Sequence, residues 1–238
     1  MNRERLLRGL DALHIPADAT ALERFEAFHA ILDEANAHMD LTAVLDEDER
    51  VDRHDLDSAA PLSQGLLSPE ARVIDVGTGA GFPGIPLLIL RPDLRMTLLD
   101  AQQKRVAFLQ DALARLGLCA TALHARAEDA ARLAEHREQY DVAVSRAVAG
   151  ASVLMELTLP FLRVGGLSVA WKGPGVADEL TGARRAAFLL GGSVRGVVPA
   201  PVPGREDWAH TLLLTDKVSP TPKAYPRRAG LPGKKPLA

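Results

Sequence analysis

Along the first sixty or so residues the apolar positions fall three and four apart. Leu6, Leu10 and Leu13 recur at this spacing, as do Leu22, Phe25, Phe28, Ile31 and Leu32, which predicts two amphipathic helices separated by Pro16. A further helix is expected near Glu49–Ala60, stopped before Pro61, which has no N–H to continue the ladder. Beyond Pro69 the period changes. Strand-like RVIDVG, MTLLD, CATALHA, YDVAVSRA and GLSVAWKG alternate with helix-like PGIPLLIL, QQKRVAFLQDALARLG, AEDAARLAEHRE, VLMELTLPFL and DELTGARRAAFLL. Such alternation implies parallel strands joined by crossover helices. SVRGVVPAPV and AHTLLLTDKV follow with only the turn-rich PGRED between them, so they should form an antiparallel ribbon at the sheet edge. The expected fold is α/β: a Rossmann-like, seven-stranded, mostly parallel sheet flanked by helices, with an N-terminal helical extension. Five prolines in the last nineteen residues preclude a regular helix there. The boundaries fall at 1–68 for the extension, 69–218 for the sheet domain and 219–238 for a basic, proline-rich tail.

Composition narrows the class. The chain has 238 residues, 47% hydrophobic and 25% charged, ordinary for a soluble globular protein with one sizeable core. The formal net charge of −3 is uneven: from Lys217 onward there are six basic residues and no acidic one, so a body at −9 carries a tail at +6. That asymmetry suits a polyanion met locally, or a solvated disordered tail. Cys119 is the only cysteine, which rules out an intramolecular disulfide and a thiolate metal cluster, and no metal is expected. Its mostly apolar surroundings suggest a small core residue. The opening MNRERLLRGLDALHIP is too charged for a signal peptide, and no run approaches the roughly 20 apolar residues of a membrane span, so a cytoplasmic location is expected.

The chemistry concentrates in Arg72–Pro86, RVIDVGTGAGFPGIP. Val73, Ile74 and Val76 read as a buried strand; Gly77, Thr78, Gly79, Gly81 and Phe82 make the loop after it, and Pro83 fits a first helical turn. Glycines there let the backbone approach a ligand at the positive end of the next helix. Several nucleotide folds share that signal. Asp75 discriminates: a carboxylate before the loop would repel a pyrophosphate but attract the amine and sulfonium of S-adenosylmethionine. Capping of the glycine turn is its alternative role. Asp100 ends the next strand, where an acid can accept both ribose hydroxyls or cap the helix that begins after Ala101 and Gln102. Arg126, Ala127, Glu128 and Asp129 follow a third strand, within reach of an adenine edge or as helix caps. Arg146 and Lys172 follow two later strands, placed to hold a carboxylate or a phosphate.

These residues sit within motifs that resemble the ribosomal RNA small-subunit methyltransferase G family (RsmG/GidB). The resemblance runs nearly end to end: DLTAV at Asp40–Val44, RHDLDS at Arg53–Ser58, DVGTGAGFPGIP at Asp75–Pro86, LLDAQQKRVAFL at Leu98–Leu109, RAED at Arg126–Asp129, SRAVA at Ser145–Ala149, WKGP at Trp171–Pro174 and the tail YPRRAGLPGKKPL. Asp40 departs from the asparagine usual in the family. The resemblance implies a class I S-adenosylmethionine-dependent methyltransferase acting on N7 of the guanine conventionally numbered 527 in the decoding-centre loop of 16S rRNA; a monomer is expected, though the sequence itself does not bear on oligomeric state. It places cofactor contacts on Gly77, Phe82, Asp100, Ala127, Glu128 and Arg146.

Guanine N7 presents a lone pair and no proton, so no general base is required. Arg126, Arg146 and Lys172 are then expected to position phosphates or the cofactor's carboxylate, not to act as acids. The rRNA or the small subunit would be gripped by Arg53, Lys104, Arg105 and the tail residues Arg227, Arg228, Lys234 and Lys235, with His54 an RNA contact or a structural bridge. Three other readings remain: a Rossmann-type methyltransferase with another acceptor, a non-catalytic RNA- or nucleotide-binding module, and an NAD-dependent dehydrogenase. Asp75 disfavours the last.

Overall fold

A computed structural model describes residues 1–237. Two capped helices begin the chain. Asn2 accepts the Arg5 N–H to open α1 (Arg3–Ala12), and Asp18 accepts the Ala21 N–H to open α2 (Ala19–Asn36). Every apolar position that defined their periodicity is buried, with Leu6, Phe25, Phe28 and Leu32 entirely so.

The third helical region departs from expectation. A short α3 (Glu47–Arg50) widens into a π-helical segment over Val51–Leu56, then resumes as α4 (Asp57–Ser63), which runs through Pro61. The helix tolerates the proline because a side chain replaces its missing donor. The Asp57 carbonyl, four residues before Pro61, accepts the indole N–H of Trp171 at 2.9 Å.

The sheet domain follows as β1 (Arg72–Val76), α5 (Gly84–Leu90), β2 (Arg95–Asp100), α6 (Gln103–Leu116), β3 (Ala120–His124), α7 (Ala127–Ala130), β4 (Tyr140–Ser145), α8 (Ala151–Thr158), β5 (Leu162–Lys172), α9 (Val176–Leu189), β6 (Gly192–Pro199) and β7 (Thr211–Lys217). The spatial order is β3-β2-β1-β4-β5-β7-β6, with β7 antiparallel to both its neighbours and the other pairs parallel. This is the expected seven-stranded architecture, with the β6–β7 ribbon at one edge. Strand order reverses between β1 and β4, and open sheets of this kind bind ligands at that reversal.

Two smaller expectations fail. AEDAARLAEHRE forms only the four-residue α7, because Arg137 bends back to donate to the Ala131 carbonyl and to the tail backbone instead of prolonging a helix. Cys119 is exposed. Gly117 turns left-handed after α6, and β3 is an outer strand, so the cysteine lies at the sheet rim. The tail packs back against the body, and its prolines allow one helical turn, α10 (Leu231–Lys234). Ala238 lies outside the described residues.

Phe28 couples the extension to the sheet domain, its ring centroid 5.4 Å from that of Phe82 in the glycine loop. Phe28→Ala should lower unfolding free energy by about 3–5 kcal/mol, read by urea denaturation.

Candidate functional site

Burial of β1 on both faces fixes where its end emerges. Gly77 and Gly81 adopt φ of +76° and +97°. A Cβ on Gly77 would meet Val148 at 2.6 Å, and one on Gly81 would meet Ile85 at 2.5 Å, so any other residue there is strained and must displace a neighbouring side chain. The Gly77 and Thr78 N–H groups donate to the Leu99 carbonyl at 2.8 and 3.1 Å, pinning the loop to β2.

Asp75 is placed otherwise than its charge suggested. Its side chain is fully buried, Oδ2 accepts the Gly84 N–H at 2.9 Å at the start of α5, and it does not line the adjoining cavity. A Cβ on Gly84 would stand 2.8 Å from that oxygen, so strand and helix meet through the carboxylate. Capping, the alternative reading, is what the geometry shows. Burial pushes its pKa up to about 7, against the opposing pull of Thr78, the Gly84 N–H and Arg146.

At the switch point lies a cavity of about 270 Å³. Val76, Leu99, Val148, Val153 and Leu157 give it apolar walls, while Asp100 and Glu128 bring carboxylates to it. Flat apolar walls with acceptors at the rim suit a nucleoside: the walls can hold a purine and the carboxylates can accept from hydroxyl or amino groups. Among the sequence candidates the cavity gathers Gly77, Asp100, Ala101, Arg126, Ala127 and Glu128. Asp100 is held by two backbone donors, Gly79 N–H at 3.0 Å in the glycine loop and Gln102 N–H at 2.8 Å just ahead of α6, whose own N-cap makes no side-chain bond. Thr78, Gly79, Gly81 and Gln102 shape the loops without lining the cavity, and Phe82 packs behind the glycine loop. Gly230, Pro232 and Gly233 of the tail complete the wall, and Gly230 donates to Glu128 Oε1 at 2.8 Å. The tail residues fall within the motif YPRRAGLPGKKPL, but neither they nor the apolar wall residues were read from the sequence as part of this site.

A second cavity of about 400 Å³ adjoins the first and is basic. Arg53, His54, Asp57, Arg146, Trp171, Lys172 and His210 line it, and the segment Arg146–Ala149 borders both cavities. Asp57, which the sequence reading passed over within RHDLDS, organises this space. Its carboxylate accepts from Arg146 at 2.8 Å and from His210 at 2.9 Å. Lys172 is held by Glu179 at 2.8 Å and the Ala149 carbonyl at 3.1 Å. The Arg53 guanidinium lies 4.4 Å from the Trp208 ring centroid.

His54 is a bridge. It stacks on Phe82 at 4.3 Å and bonds Thr42 Oγ1 at 2.8 Å. Burial, reinforced by the Arg146, His29 and Arg50 charges, holds its pKa down to about 3, so it is neutral at physiological pH. Lys104 is exposed, and Arg105 stands 3.7 Å from Asp100 Oδ2. Arg126 is exposed at the start of α7. In the tail Arg228, Lys234 and Lys235 are exposed, whereas Arg227 is committed to Glu156.

Two pH effects follow. Between 3.8, its ordinary value, and about 7 the folded chain retains a proton on Asp75 that the unfolded chain has released, so this contribution to stability falls as pH rises. Asp75→Asn should therefore gain stability relative to the parent from pH 4 to 7 and level off above, measured by urea unfolding. His54 has the opposite sign: its contribution is lost as pH falls below 6.5 towards about 3. Its imidazole resonances should show no titration between pH 5 and 8 by NMR.

The model of the family described as rRNA small subunit methyltransferase G (GidB) matches residues 21–202. The "Ribosomal RNA small subunit methyltransferase G" of Moorella thermoacetica is 44% identical over 238 residues, covering 99% of each chain. That of Deinococcus radiodurans is 46% identical over 236 residues, covering 99% of this chain and 92% of its own. Among solved structures, a TehB-like SAM-dependent methyltransferase from Corynebacterium glutamicum superposes with a TM-score of 0.51 at 16% identity, over 79% of this chain and 98% of that one. Aeropyrum pernix fibrillarin with natively bound S-adenosyl-L-methionine gives 0.50 at 14% identity, over 67% and 76%. Both share the fold. With the family model spanning most of the chain and full-length relatives above 40% identity, this chain belongs to the rRNA small subunit methyltransferase G (GidB) family.

Proposed function

We propose that the chain transfers the methyl group of S-adenosylmethionine to N7 of a guanine in the decoding-centre loop of small-subunit rRNA. The observation that carries this reading is the pair of adjoining cavities, one apolar with carboxylates and one basic, bordered by the common segment Arg146–Ala149. The first takes the cofactor, with Asp100 at the ribose and Glu128 at the adenine edge. The second takes the flipped guanine and its phosphates.

The cofactor supplies an electrophilic methyl carbon, and guanine N7 supplies the electron pair without losing a proton. The chain therefore needs no base. Its task is alignment and exclusion of water. Asp57 holds Arg146 in place, and Glu179 holds Lys172, so neither cation swings onto N7, where it would oppose the charge arriving on the base. Both remain at the cavity wall to meet phosphate oxygens. The RNA major groove is too narrow for side chains, so the base must come from an irregular loop. Arg53, Lys104, Arg228, Lys234 and Lys235 are placed to grip the surrounding backbone. On this reading the chain acts as a monomer and in the cytoplasm, where small subunits are found. No helix among the described residues is long and apolar enough to cross a membrane.

Incubation with radiolabelled S-adenosylmethionine and 30S subunits from cells lacking this gene should label N7 of one decoding-centre guanine. Label elsewhere would move the acceptor, and no label despite cofactor binding would remove this acceptor altogether. Arg146→Ala should raise KM for the subunits by about tenfold and flatten its dependence on salt, while S-adenosylmethionine affinity by calorimetry changes less.

A further inference from the structure

The tail was expected to be a solvated arm or an RNA grip, yet it is bound to the body along its length. Lys217, buried at the end of β7, donates to the Leu159 carbonyl at 2.9 Å and to Thr221 Oγ1. Thr221 N–H donates to Glu138 at 2.7 Å, and Arg137 donates to the Thr221 and Tyr225 carbonyls at 2.7 and 2.9 Å. Arg132 holds the Pro226 carbonyl.

The strongest tie comes next. Arg227 gives Glu156 its backbone N–H at 2.7 Å, and its guanidinium reaches Oε1 at 2.9 Å and Oε2 at 2.6 Å. The Glu156 side chain is 1% exposed, on the same helix, α8, that contributes Val153 and Leu157 to the first cavity. Arg227 also donates to the Lys235 carbonyl at 2.8 Å, so one guanidinium closes the segment on itself and on α8. Three residues after it the chain turns left-handed at Gly230, whose N–H meets Glu128 Oε1. That bond fixes one oxygen of a carboxylate in the cavity wall and leaves the other to accept from a ligand.

We propose that residues 219–237 form a strap that closes one side of the S-adenosylmethionine cavity, and that Arg227 is a positioning residue of that cavity, acting through Glu156 and the Gly230 turn. The proposal rests on the cofactor reading of the first cavity. Two nitrogens of the Arg227 guanidinium are on Glu156, and removing them would strand a buried charge. The basic charge that faces outward on the strap is instead that of Lys223, Arg228, Lys234 and Lys235.

The test is calorimetry of S-adenosylmethionine binding to the full chain and its variants, alongside filter binding of 30S subunits over a range of salt. Arg227→Ala should weaken the cofactor by about tenfold, the worth of one charge-assisted hydrogen bond, with Arg227→Lys recovering part of the loss. Subunit affinity and its salt slope should stay as in the parent. Because Arg227→Ala strands Glu156 and can cost the fold, a deletion of residues 230–238 provides a second arm. It keeps the ion pair, removes Gly230, Pro232 and Gly233 from the wall, and should weaken the cofactor to a similar degree while circular dichroism shows a folded chain. Cofactor affinity within twofold of the parent in the folded deletion overturns the strap. So does an Arg227→Ala variant whose cofactor affinity holds while its salt slope falls. Asp100→Ala separates this failure from a wrong cavity: if it also leaves binding intact, the cofactor reading itself is at fault.

Discussion

Asp57 is the joint on which both halves of the molecule close. Its carboxylate, 3% exposed, accepts Arg146 from the end of β4 and His210 from the start of β7, while its backbone carbonyl accepts Trp171 from β5. Three strands of the sheet thus converge on one residue of the helical extension. A buried carboxylate with two charged or polar donors is stable only while both remain, because either loss leaves part of the charge unsolvated. The same contacts hold Arg146 at the wall of the basic cavity. The residue that attaches the extension to the sheet domain therefore also sets the geometry of the basic cavity.

Around this joint the extension is fastened by further buried acids. Asp52 takes the guanidinium of Arg5 from α1 at 2.6 Å and that of Arg205 from the β6–β7 connection at 2.7 Å. Asp55 meets His29 of α2 at 2.7 Å. The π-helical turn over Val51–Leu56 widens the helix between these residues, and the altered spacing lets Asp52, Asp55 and Asp57 reach different partners from one short segment. His54 within it stacks on Phe82, carrying the same coupling to the glycine loop.

The two cavities use charge differently. In the apolar cavity the carboxylates of Asp100 and Glu128 are each anchored by backbone N–H groups, which fix their position at little cost in desolvation. In the basic cavity the cations are anchored by Asp57 and Glu179, which restrain long flexible side chains that would otherwise lose entropy on meeting an anion. Both arrangements pre-organise the surface before any ligand arrives.

Much of this was legible in the chain. Helical spacing gave α1 and α2, the change of period at Pro69 gave the parallel sheet, and PGRED gave the edge ribbon, because local periodicity records which face each element buries. The glycine loop and Asp100 marked the end of the sheet where the apolar cavity lies, since backbone conformations with positive φ leave a compositional trace. Other features required the folded molecule. Asp75 looked like a ligand and is buried behind the cavity wall, with one oxygen on the Gly84 N–H. Pro61 looked like a stop and was bridged by Trp171, more than a hundred residues away. Cys119 looked buried and lies on an edge, and the tail's Arg227 is spent on Glu156. The last and the proline depend on partners remote in sequence, and a charge or a missing donor does not name its partner until the chain has brought it within hydrogen-bonding distance.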